Sequence, residues 1–146
     1  MGEIDNQQYR VTSNIEELAF DDVLRLVRLT DWAKDRREDI IRKSFENSLN
    51  FGVFAGARQV GYCRVITDYA TFAYLADVII EPDYRGRGLS MLMMEAVMSH
   101  PELNSLRRMS LLTTTAHDLY RKFGFENLKY PMNYMEVFYG DSVDVP

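Results

Sequence analysis

The residues best suited to chemistry lie in one stretch, Ile80-Glu81-Pro82-Asp83-Tyr84-Arg85-Gly86-Arg87-Gly88-Leu89-Ser90. A buried strand is predicted to end at Pro82, and a helix is predicted to begin at about Gly88. A helix N-terminus presents unpaired backbone N–H groups and about half a positive charge, and glycines let the backbone approach an anion closely. The stretch therefore predicts a phosphate or pyrophosphate site beside Arg85 and Arg87. A flexible turn with solvent-facing arginines is the alternative.

Two other phosphate-binding motifs do not fit. A P-loop needs Gly-x-x-x-x-Gly-Lys-Ser/Thr, and the sequence contains neither Gly-Lys-Ser nor Gly-Lys-Thr. The dinucleotide fingerprint Gly-x-Gly-x-x-Gly is met at Gly86 and Gly88, but Met91 replaces its third glycine. The strands predicted ahead of the loop also form antiparallel hairpins rather than a leading βαβ unit.

The elements that position the loop are predicted from the spacing of apolar residues. A short strand at Tyr9 to Ser13 is followed by a helix from Phe20, capped by Asp21 or Asp22, and by a helix over about Arg36 to Ser48. Three strands of an antiparallel meander follow, at Leu49 to Ala55, Val60 to Thr67 and Thr71 to Glu81. The remaining elements are a helix at about Gly88 to His100, a strand at Met109 to Thr114, a short helix at Ala116 to Phe123, and one or two closing strands within Phe125 to Tyr139. This order predicts a mixed α/β chain, in which the fourth strand, the long helix and the fifth strand form a right-handed βαβ unit.

Composition excludes several classes of protein. The 146 residues include 17 Lys+Arg and 22 Asp+Glu, a net charge of −5, which argues against a nucleic-acid partner. A single cysteine, Cys63, excludes an internal disulfide and a four-cysteine metal site. The polar start has no signal-peptide pattern, and no apolar run approaches the ~20 residues of a membrane span. We expect one cytoplasmic domain over residues 1–146 with loose ends at 1–8 and 141–146 and no membrane partner.

Two motifs in order carry a family resemblance. The loop fits the pattern R/Q-x-x-G-x-G/A as Arg85-Gly86-Arg87-Gly88-Leu89-Ser90, and Ala116-His117-Asp118-Leu119-Tyr120-Arg121-Lys122-Phe123-Gly124-Phe125 fits A-x-x-L-Y-x-K-x-G-F. The chain thus resembles the GNAT superfamily of acetyl-CoA-dependent N-acetyltransferases. The stretches at 47–53 and 64–72 look like a bacterial branch of small GNAT proteins. The resemblance implies a GNAT fold, with a mixed, mostly antiparallel sheet, helices on both of its faces and a central acyl-CoA-binding βαβ unit.

The resemblance also implies how the cofactor is held. The backbone N–H groups from Arg85 to Ser90 should bind the CoA pyrophosphate, and the main chain of Val78, Ile79 and Ile80 should pair with the pantetheine arm like an added strand. A backbone N–H near Ile80 would stabilise the oxyanion that forms on the thioester. Two positions depart from the family pattern. Ser90 stands where Gly or Ala is usual, and Thr113 stands where many relatives have a cofactor-binding Asn.

One candidate proton-transfer group follows from the resemblance, and another follows from its position in an apolar strand. Tyr120 is the expected general acid for the departing CoA thiolate, with a role as a core tyrosine as the alternative. Asp77 is the only charged residue within Ala70 to Ile80, so burial should raise the pKa of its carboxyl and suit it as a base or an acceptor contact. A purely structural hydrogen bond, Glu81 in its place and a water chain remain open alternatives.

The other potentially reactive side chains are not expected to take part in catalysis or metal binding. His117 is expected to face outward from the first turn of its helix, and Cys63 to be a buried structural thiol rather than an acyl carrier. His100 and His117 are too far apart and too isolated to indicate a metal site.

The acceptor site should lie at the ends of the helices and hairpins. The polar and aromatic residues expected there are Trp32, Arg36, Asn47, Arg64, Asp68 and Tyr69. The expected function is N-acetyl transfer from acetyl-CoA, without a metal, to a primary amine on a small molecule or peptide, in a ternary complex. The net acidity weakly favours a cationic amine. A non-catalytic acyl-CoA sensor and a cofactor-free interaction domain are the rivals, and the chain is expected to be a monomer or a homodimer.

Overall fold

The computed structural model describes residues 8–140, so the predicted loose ends lie outside the described residues apart from Gln8. The strands are β1 (Tyr9–Thr12), β2 (Leu49–Ala55), β3 (Arg58–Thr67), β4 (Phe72–Ile80) and β5 (Arg108–Leu111). The helices are α1 (Phe20–Val27), α2 (Glu38–Glu46), α3 (Leu89–Met98) and α4 (His117–Arg121). The predicted order of elements is confirmed up to α4, with shifts of one to three residues at most boundaries.

The five strands form one sheet in the order β1-β2-β3-β4-β5. The first three pairings are antiparallel, and β4 and β5 are parallel, with Phe72 opposite Arg108 and Leu75 opposite Leu111. Parallel neighbours need a crossover connection, which α3 supplies. The predicted mixed α/β fold with a βαβ unit is therefore confirmed.

Helices cover both faces of the sheet because neighbouring strand residues point to opposite sides. On one face, the sheet residues Val53 and Val65 share a core with Met93 and Val97 of α3 and with Tyr120 of α4. On the other face, a second core joins the sheet to α1 and α2 through the buried residues Phe54, Tyr62, Ile79, Val23, Leu26, Ile41 and Phe45. Each fully buried aliphatic side chain contributes about 1.5–3 kcal/mol by leaving water, so both layers are firmly held.

A β-bulge interrupts β4 at Asp77. Tyr62 of β3 lies opposite Ile79, while Arg64 lies opposite Ala76, so Asp77 and Val78 together face the single residue between them on β3. The backbone of Asp77 has a left-handed φ of 53°. The extra residue reverses the alternation of side chains along β4 and bends the strand, as bulges do. It therefore turns the Asp77 carboxylate toward the face covered by α1 and α2.

Two local predictions are wrong. The N-cap of α1 is Ala19, which offers no side-chain cap, while Asp21 and Asp22 lie in the first helical turn, where they interact favourably with the helix dipole. The closing strands expected within Phe125 to Tyr139 do not form in the described chain, whose only regular element there is a 3-10 turn at Pro131–Asn133. The apolar pattern of that region is typical of strands, but a strand also needs a backbone partner.

Candidate active site

The loop between β4 and α3 has the backbone conformation that its glycines allow. Gly86 and Gly88 have φ values of 75° and 77°, and Gly88 is the N-cap of α3. A residue with a Cβ atom is strained by roughly 1–2 kcal/mol at such φ values, so glycine is favoured at both positions. Pro82 begins a 3-10 turn that ends β4 and leads the chain into this loop. The predicted strand–loop–helix arrangement is therefore present.

The loop presents a row of free backbone donors. In the described chain, the six N–H groups from Gly86 to Met91 donate no hydrogen bond, whereas the next N–H, that of Leu92, donates to the Gly88 carbonyl at 3.1 Å. Consecutive N–H groups at a helix N-terminus form a concavity suited to anions. A cavity of about 140 Å³ lies over this row and is bordered by Arg85, Gly86, Gly88 and Ser90. Its donors match the oxygens of a pyrophosphate.

The two loop arginines are tethered rather than mobile. Arg85 Nε donates to the Ile80 carbonyl at 3.3 Å. Arg87 Nη1 donates to the Tyr9 hydroxyl at 2.8 Å, and its guanidinium lies 5.0 Å from the centre of the Tyr84 ring. Arg85 borders the cavity over the N–H row, whereas Arg87 borders a different cavity beside Arg58 and Glu81. Because Arg85 is already held, little of its side-chain entropy remains to be lost when an anion binds.

An opening separates β4 from β5 next to the loop. Their pairing ends at Leu75 and Leu111, so residues 76–80 of β4 have no partner strand on that side within the described chain. A second cavity, of about 240 Å³, follows this free edge and is bordered by residues 29–32, 78–80, Arg85 and Ser90. Because Ile80, Arg85 and Ser90 border both cavities, the two are adjacent. They form a channel from the N–H row to Trp32.

Asp77 lies at the centre of a polar cluster beside this channel. Its Oδ2 accepts from Arg64 Nε at 2.7 Å and from Arg36 Nη1 at 3.1 Å, and its Oδ1 accepts from Trp32 Nε1 at 3.2 Å. The Asp77 side chain is 5% exposed, against 13% for Arg64 and 22% for Arg36. Four of the predicted site residues are thus brought together: Trp32, Arg36, Arg64 and Asp77.

The expected rise in the pKa of Asp77 is wrong in direction. Burial pushes the pKa of this carboxyl upward, but the charges of Arg64 and Arg36 and their hydrogen bonds outweigh burial, so the pKa lies below its usual value. Glu81, the alternative base, is in a similar state. It is buried beside Arg25 and Arg58, with Arg58 Nη2 at 2.8 Å from its Oε1, and its pKa is lowered. Both carboxylates are ionised and paired near neutral pH.

Tyr120 keeps its proton. The residue is 8% exposed, and burial, with a smaller effect of Cys63, raises the pKa of its hydroxyl to about 12. The ring packs edge-on against Phe125 with 5.9 Å between ring centres, and its hydroxyl makes no hydrogen bond in the described chain. The Tyr120 ring therefore packs in the core, as the alternative interpretation expected, and its hydroxyl still carries a proton that it can donate. It borders a third cavity, of about 420 Å³, alongside β5.

Comparison with known proteins identifies the family. The profile of the acetyltransferase (GNAT) domain matches residues 47–127. A GNAT-family protein of known structure from Xanthomonas campestris is 44% identical, with a TM-score of 0.84, and the match covers 89% of this chain and 92% of that one. The chain belongs to the GNAT family of acetyltransferases. A Staphylococcus aureus structure described as an acetyltransferase is 26% identical over 90% of this GNAT chain and 99% of its own, with a TM-score of 0.73.

The match to a curated relative covers a smaller part of both chains. A Gibberella zeae protein with an acetyltransferase assignment is 33% identical in an alignment of 113 positions, and the match covers 62% of this GNAT chain and 62% of the relative. The chain thus spans less than two thirds of that protein's length. In the described residues of the GNAT chain, no helix is long and apolar enough to cross a membrane, and no group of three or more His, Cys, Asp or Glu side chains is arranged to hold a metal ion.

Other predicted residues of the GNAT chain have structural contacts of their own. The Thr113 hydroxyl accepts from the Ala116 N–H at 3.0 Å, in the turn that leads into α4. Cys63 is fully buried and burial raises the pKa of its thiol, as expected of a structural cysteine. His117 is exposed in the first turn of α4, as expected.

Asp68 and Tyr69 do not join the cluster. They form the turn between β3 and β4, at the opposite end of β4 from the anion-binding loop. Asp68 accepts hydrogen bonds from the N–H groups of Ala70, Thr71 and Phe72, which hold the turn and lower the pKa of Asp68. The polar character of Asp68 therefore reflects turn formation.

Sequence reasoning missed the wall formed by residues 29–31. The cavity of about 240 Å³ is bordered by Leu29, Thr30 and Asp31 in the connection between α1 and α2. The Thr30 hydroxyl accepts from the Ala33 N–H at 3.0 Å, which shapes this connection. No motif indicated these positions, because the packing of α1 on the sheet brings them to the channel.

Proposed function

We propose that the protein transfers an acetyl group from acetyl-CoA to a primary amine by direct attack in a ternary complex. The observation that carries this proposal is the row of free N–H donors from Gly86 to Met91, which opens onto the unpaired edge of β4. Membership of the GNAT family supports the same reaction.

The residues present fit acetyl-CoA, which would supply an activated acetyl group as a thioester. The free N–H groups from Gly86 to Ser90 would hold its pyrophosphate, with the Arg85 guanidinium adding charge. The Arg85 N–H, expected to join them, already donates to the Pro82 carbonyl at 3.3 Å. Main-chain groups of Val78, Ile79 and Ile80 on the side of β4 that β5 leaves unpaired would bind its pantetheine arm as a strand is bound. The small Ser90 side chain leaves the loop open. Thr113, whose hydroxyl oxygen already accepts from the Ala116 N–H, would contribute little.

Tyr120 is the proposed general acid. A hydroxyl with a pKa of about 12 is protonated near neutral pH, so its O–H bond can give the proton to the departing sulfur as the carbon–sulfur bond breaks. Asp77 is ionised, but its lowered pKa makes it a weak base, and its oxygens already accept hydrogen bonds from Arg36, Arg64 and Trp32. We therefore assign the ammonium proton of the acceptor to water, and give Asp77 the role of positioning Arg36, Arg64 and Trp32.

The acceptor would bind where Trp32 and the two arginines meet the channel. One carboxylate, Asp77, faces two guanidinium groups, so this cluster carries a charge of +1. Asp31 borders the same cavity and supplies a negative charge for the amine itself. This pattern favours an acceptor that carries an anionic group near its amine, in place of the purely cationic amine that net charge favoured.

An assay of thiol release from acetyl-CoA tests the proposal. Amines should be offered in pairs that differ only in an anionic group, such as an amino acid and its amide. We expect release of the CoA thiol with at least one amine, and tighter binding of the amine that carries the anionic group in each pair. Tyr120→Phe should lose turnover while it keeps CoA affinity, which a non-catalytic sensor would not show. If CoA at millimolar concentration fails to shift the melting temperature, both cofactor-binding functions are refuted.

A further inference from the structure

Part of one sheet face stays open beyond the polar cluster. Arg64 reaches Asp77 on the face that α1 and α2 cover, and side chains alternate along β3, so Ile66 points to the same face. Ile66 lies opposite Tyr74 of β4, and Phe72 precedes Tyr74 by two residues, so all three side chains share this face. Ile66 is 43% exposed and Phe72 is 40% exposed, which leaves their apolar atoms in contact with solvent.

This open surface is continuous with the cluster. Ala76 lies opposite Arg64, so the exposed side chains begin where the ion pair of Arg64 with Asp77 ends. Burial raises the pKa of the Tyr74 hydroxyl, and the charges of Arg64 and Asp77 also act on it, in opposite directions. We call Ile66, Phe72, Tyr74 and Ala76 the apolar floor. The floor runs from the polar cluster toward the turn between β3 and β4.

The size of the apolar floor favours a small molecule. Its four side chains leave roughly 200–250 Å² of surface open, about the area that one large apolar side chain buries. A stable protein partner needs about 800 Å² on each side. The floor alone is therefore too small for a protein interface, but it is large enough for the side chain of a bound substrate.

The charges around the floor limit what it can bind. Arg64 lies at one end, and exposed Arg108 of β5 lies opposite Phe72 at the other end. Both guanidinium groups repel a cationic side chain, so the floor suits an uncharged one. At the cluster, Arg36 and Arg64 share a single carboxylate, which leaves one positive charge for an anionic group of the ligand.

We propose that the acceptor is an α-amino acid with a large, uncharged apolar side chain, which lies on the apolar floor while the carboxylate meets Arg36 and Arg64. This inference rests on the proposed function. The ammonium group loses one proton to water, and a nitrogen–carbon bond forms as the carbon–sulfur bond of the thioester breaks. The sulfur receives a proton from Tyr120, which regains one from the attacking nitrogen through solvent. The products are an N-acetylamino acid and the CoA thiol.

Three amines test the two halves of this site. Phenylalanine carries both groups, alanine lacks the large side chain, and 2-phenylethylamine lacks the carboxylate. In the assay of thiol release, kcat/KM should be at least tenfold higher for phenylalanine than for either of the other amines. Equal kcat/KM for phenylalanine and alanine overturns the proposal, and so does equal kcat/KM for phenylalanine and 2-phenylethylamine.

A matched pair of isoleucine substitutions tests the floor itself. Ile66→Thr keeps the β-branch but removes apolar surface, so it should lower the ratio of kcat/KM for phenylalanine to that for alanine about fivefold. Ile15→Thr makes the same change at a side chain that is 45% exposed in a 3-10 turn, and it should leave the ratio unchanged. Phe72→Ala is a second floor variant, which decides the test if Ile66→Thr does not fold. An unchanged ratio in the folded floor variants overturns the proposal.

Calorimetry separates this inference from the proposed function, because it measures binding without turnover. Phenylalanine and alanine are titrated into the chain in the presence of CoA. If no amine releases thiol, but phenylalanine binds at least tenfold more tightly than alanine and Ile66→Thr removes the difference, acetyl transfer fails and the floor is upheld. Equal binding, or none, overturns the floor. A dimer that Ile66→Thr dissociates in sedimentation equilibrium would show that a second copy covers the floor, and would overturn the proposal too.

Discussion

Asp77→Asn separates a positioning residue from a catalytic base. The substitution keeps the shape of the side chain but removes the charge that accepts from Arg64 at 2.7 Å and from Arg36 at 3.1 Å. Breaking a buried ion pair costs about 3–5 kcal/mol, but both guanidinium groups are partly exposed and can take up water, so we expect a loss of about 2–4 kcal/mol in the free energy of unfolding.

Urea denaturation measures this loss, with Trp32 as the reporter. Trp32 is the only tryptophan in the chain, and its Nε1 donates to Asp77, so its fluorescence reports on the cluster as well as on unfolding. Asp39→Asn is the matched control, because Asp39 pairs with Arg37 on the exposed surface of the same region and should change stability little. If Asp77→Asn unfolds at the same urea midpoint as the native chain, the predicted loss in the free energy of unfolding is refuted.

The pH dependence has a definite sign. The folded pKa of Asp77 is lowered, so its ionised form stabilises the fold above the ordinary carboxyl pKa of about 3.9, and that stabilisation is lost as pH falls toward the folded pKa. The stability difference between native chain and Asp77→Asn should therefore be full at pH 6 to 8 and shrink below about pH 4. In the same variant, kcat/KM should keep its rise with pH, because water takes the proton. Loss of that rise, with stability unchanged, would make Asp77 the base.

Three further predictions concern the loop and the buried hydroxyl and thiol. Tyr120→Phe should lower kcat by about a hundredfold, as expected for loss of a general acid, and leave the Kd of CoA within about twofold in calorimetry; an unchanged kcat would remove Tyr120 from the mechanism. Gly88→Ala should destabilise the chain by about 1–2 kcal/mol and weaken CoA binding about tenfold, whereas Gly56→Ala, at a left-handed φ of 59° with open space around it, should show the strain without the binding defect. Equal CoA affinity in the two glycine variants would contradict the role of the loop. Cys63 should not react with an aromatic disulfide reagent at pH 8 until urea unfolds the chain, and rapid reaction in the native state would show that its burial is wrong.

The sequence by itself determined the elements and the anion-binding loop. Strand and helix follow from local periodicity, and Gly86 and Gly88 are dictated by a backbone conformation that other residues adopt only with strain. The two motifs, one on each side of β5 in the sequence, then indicated the family, because each motif reflects local backbone geometry and spacing along the chain. Such features are encoded within a few residues, and sequence reasoning reaches them.

The tertiary structure alone decided the state of the charged groups. The pKa of Asp77 was predicted from its own apolar strand. That pKa is set instead by Arg36 and Arg64, which lie 41 and 13 residues away in sequence. The bulge that turns its carboxylate toward them depends on the pairing of β3 with β4. Asp68 was expected near Trp32 and Arg64 but lies in the turn at the other end of β4, because nothing in its immediate sequence tells which end of a strand pair faces the channel.

The fate of the last segment was also decided by tertiary structure. The residues within Phe125 to Tyr139 have strand-like composition, and the sequence predicted strands there. A strand exists only when its backbone groups find partners, and in the described chain the edge of β5 and these residues remain apart. Sequence determines which residues favour a strand, but hydrogen-bonding partners distant in the chain decide whether one forms.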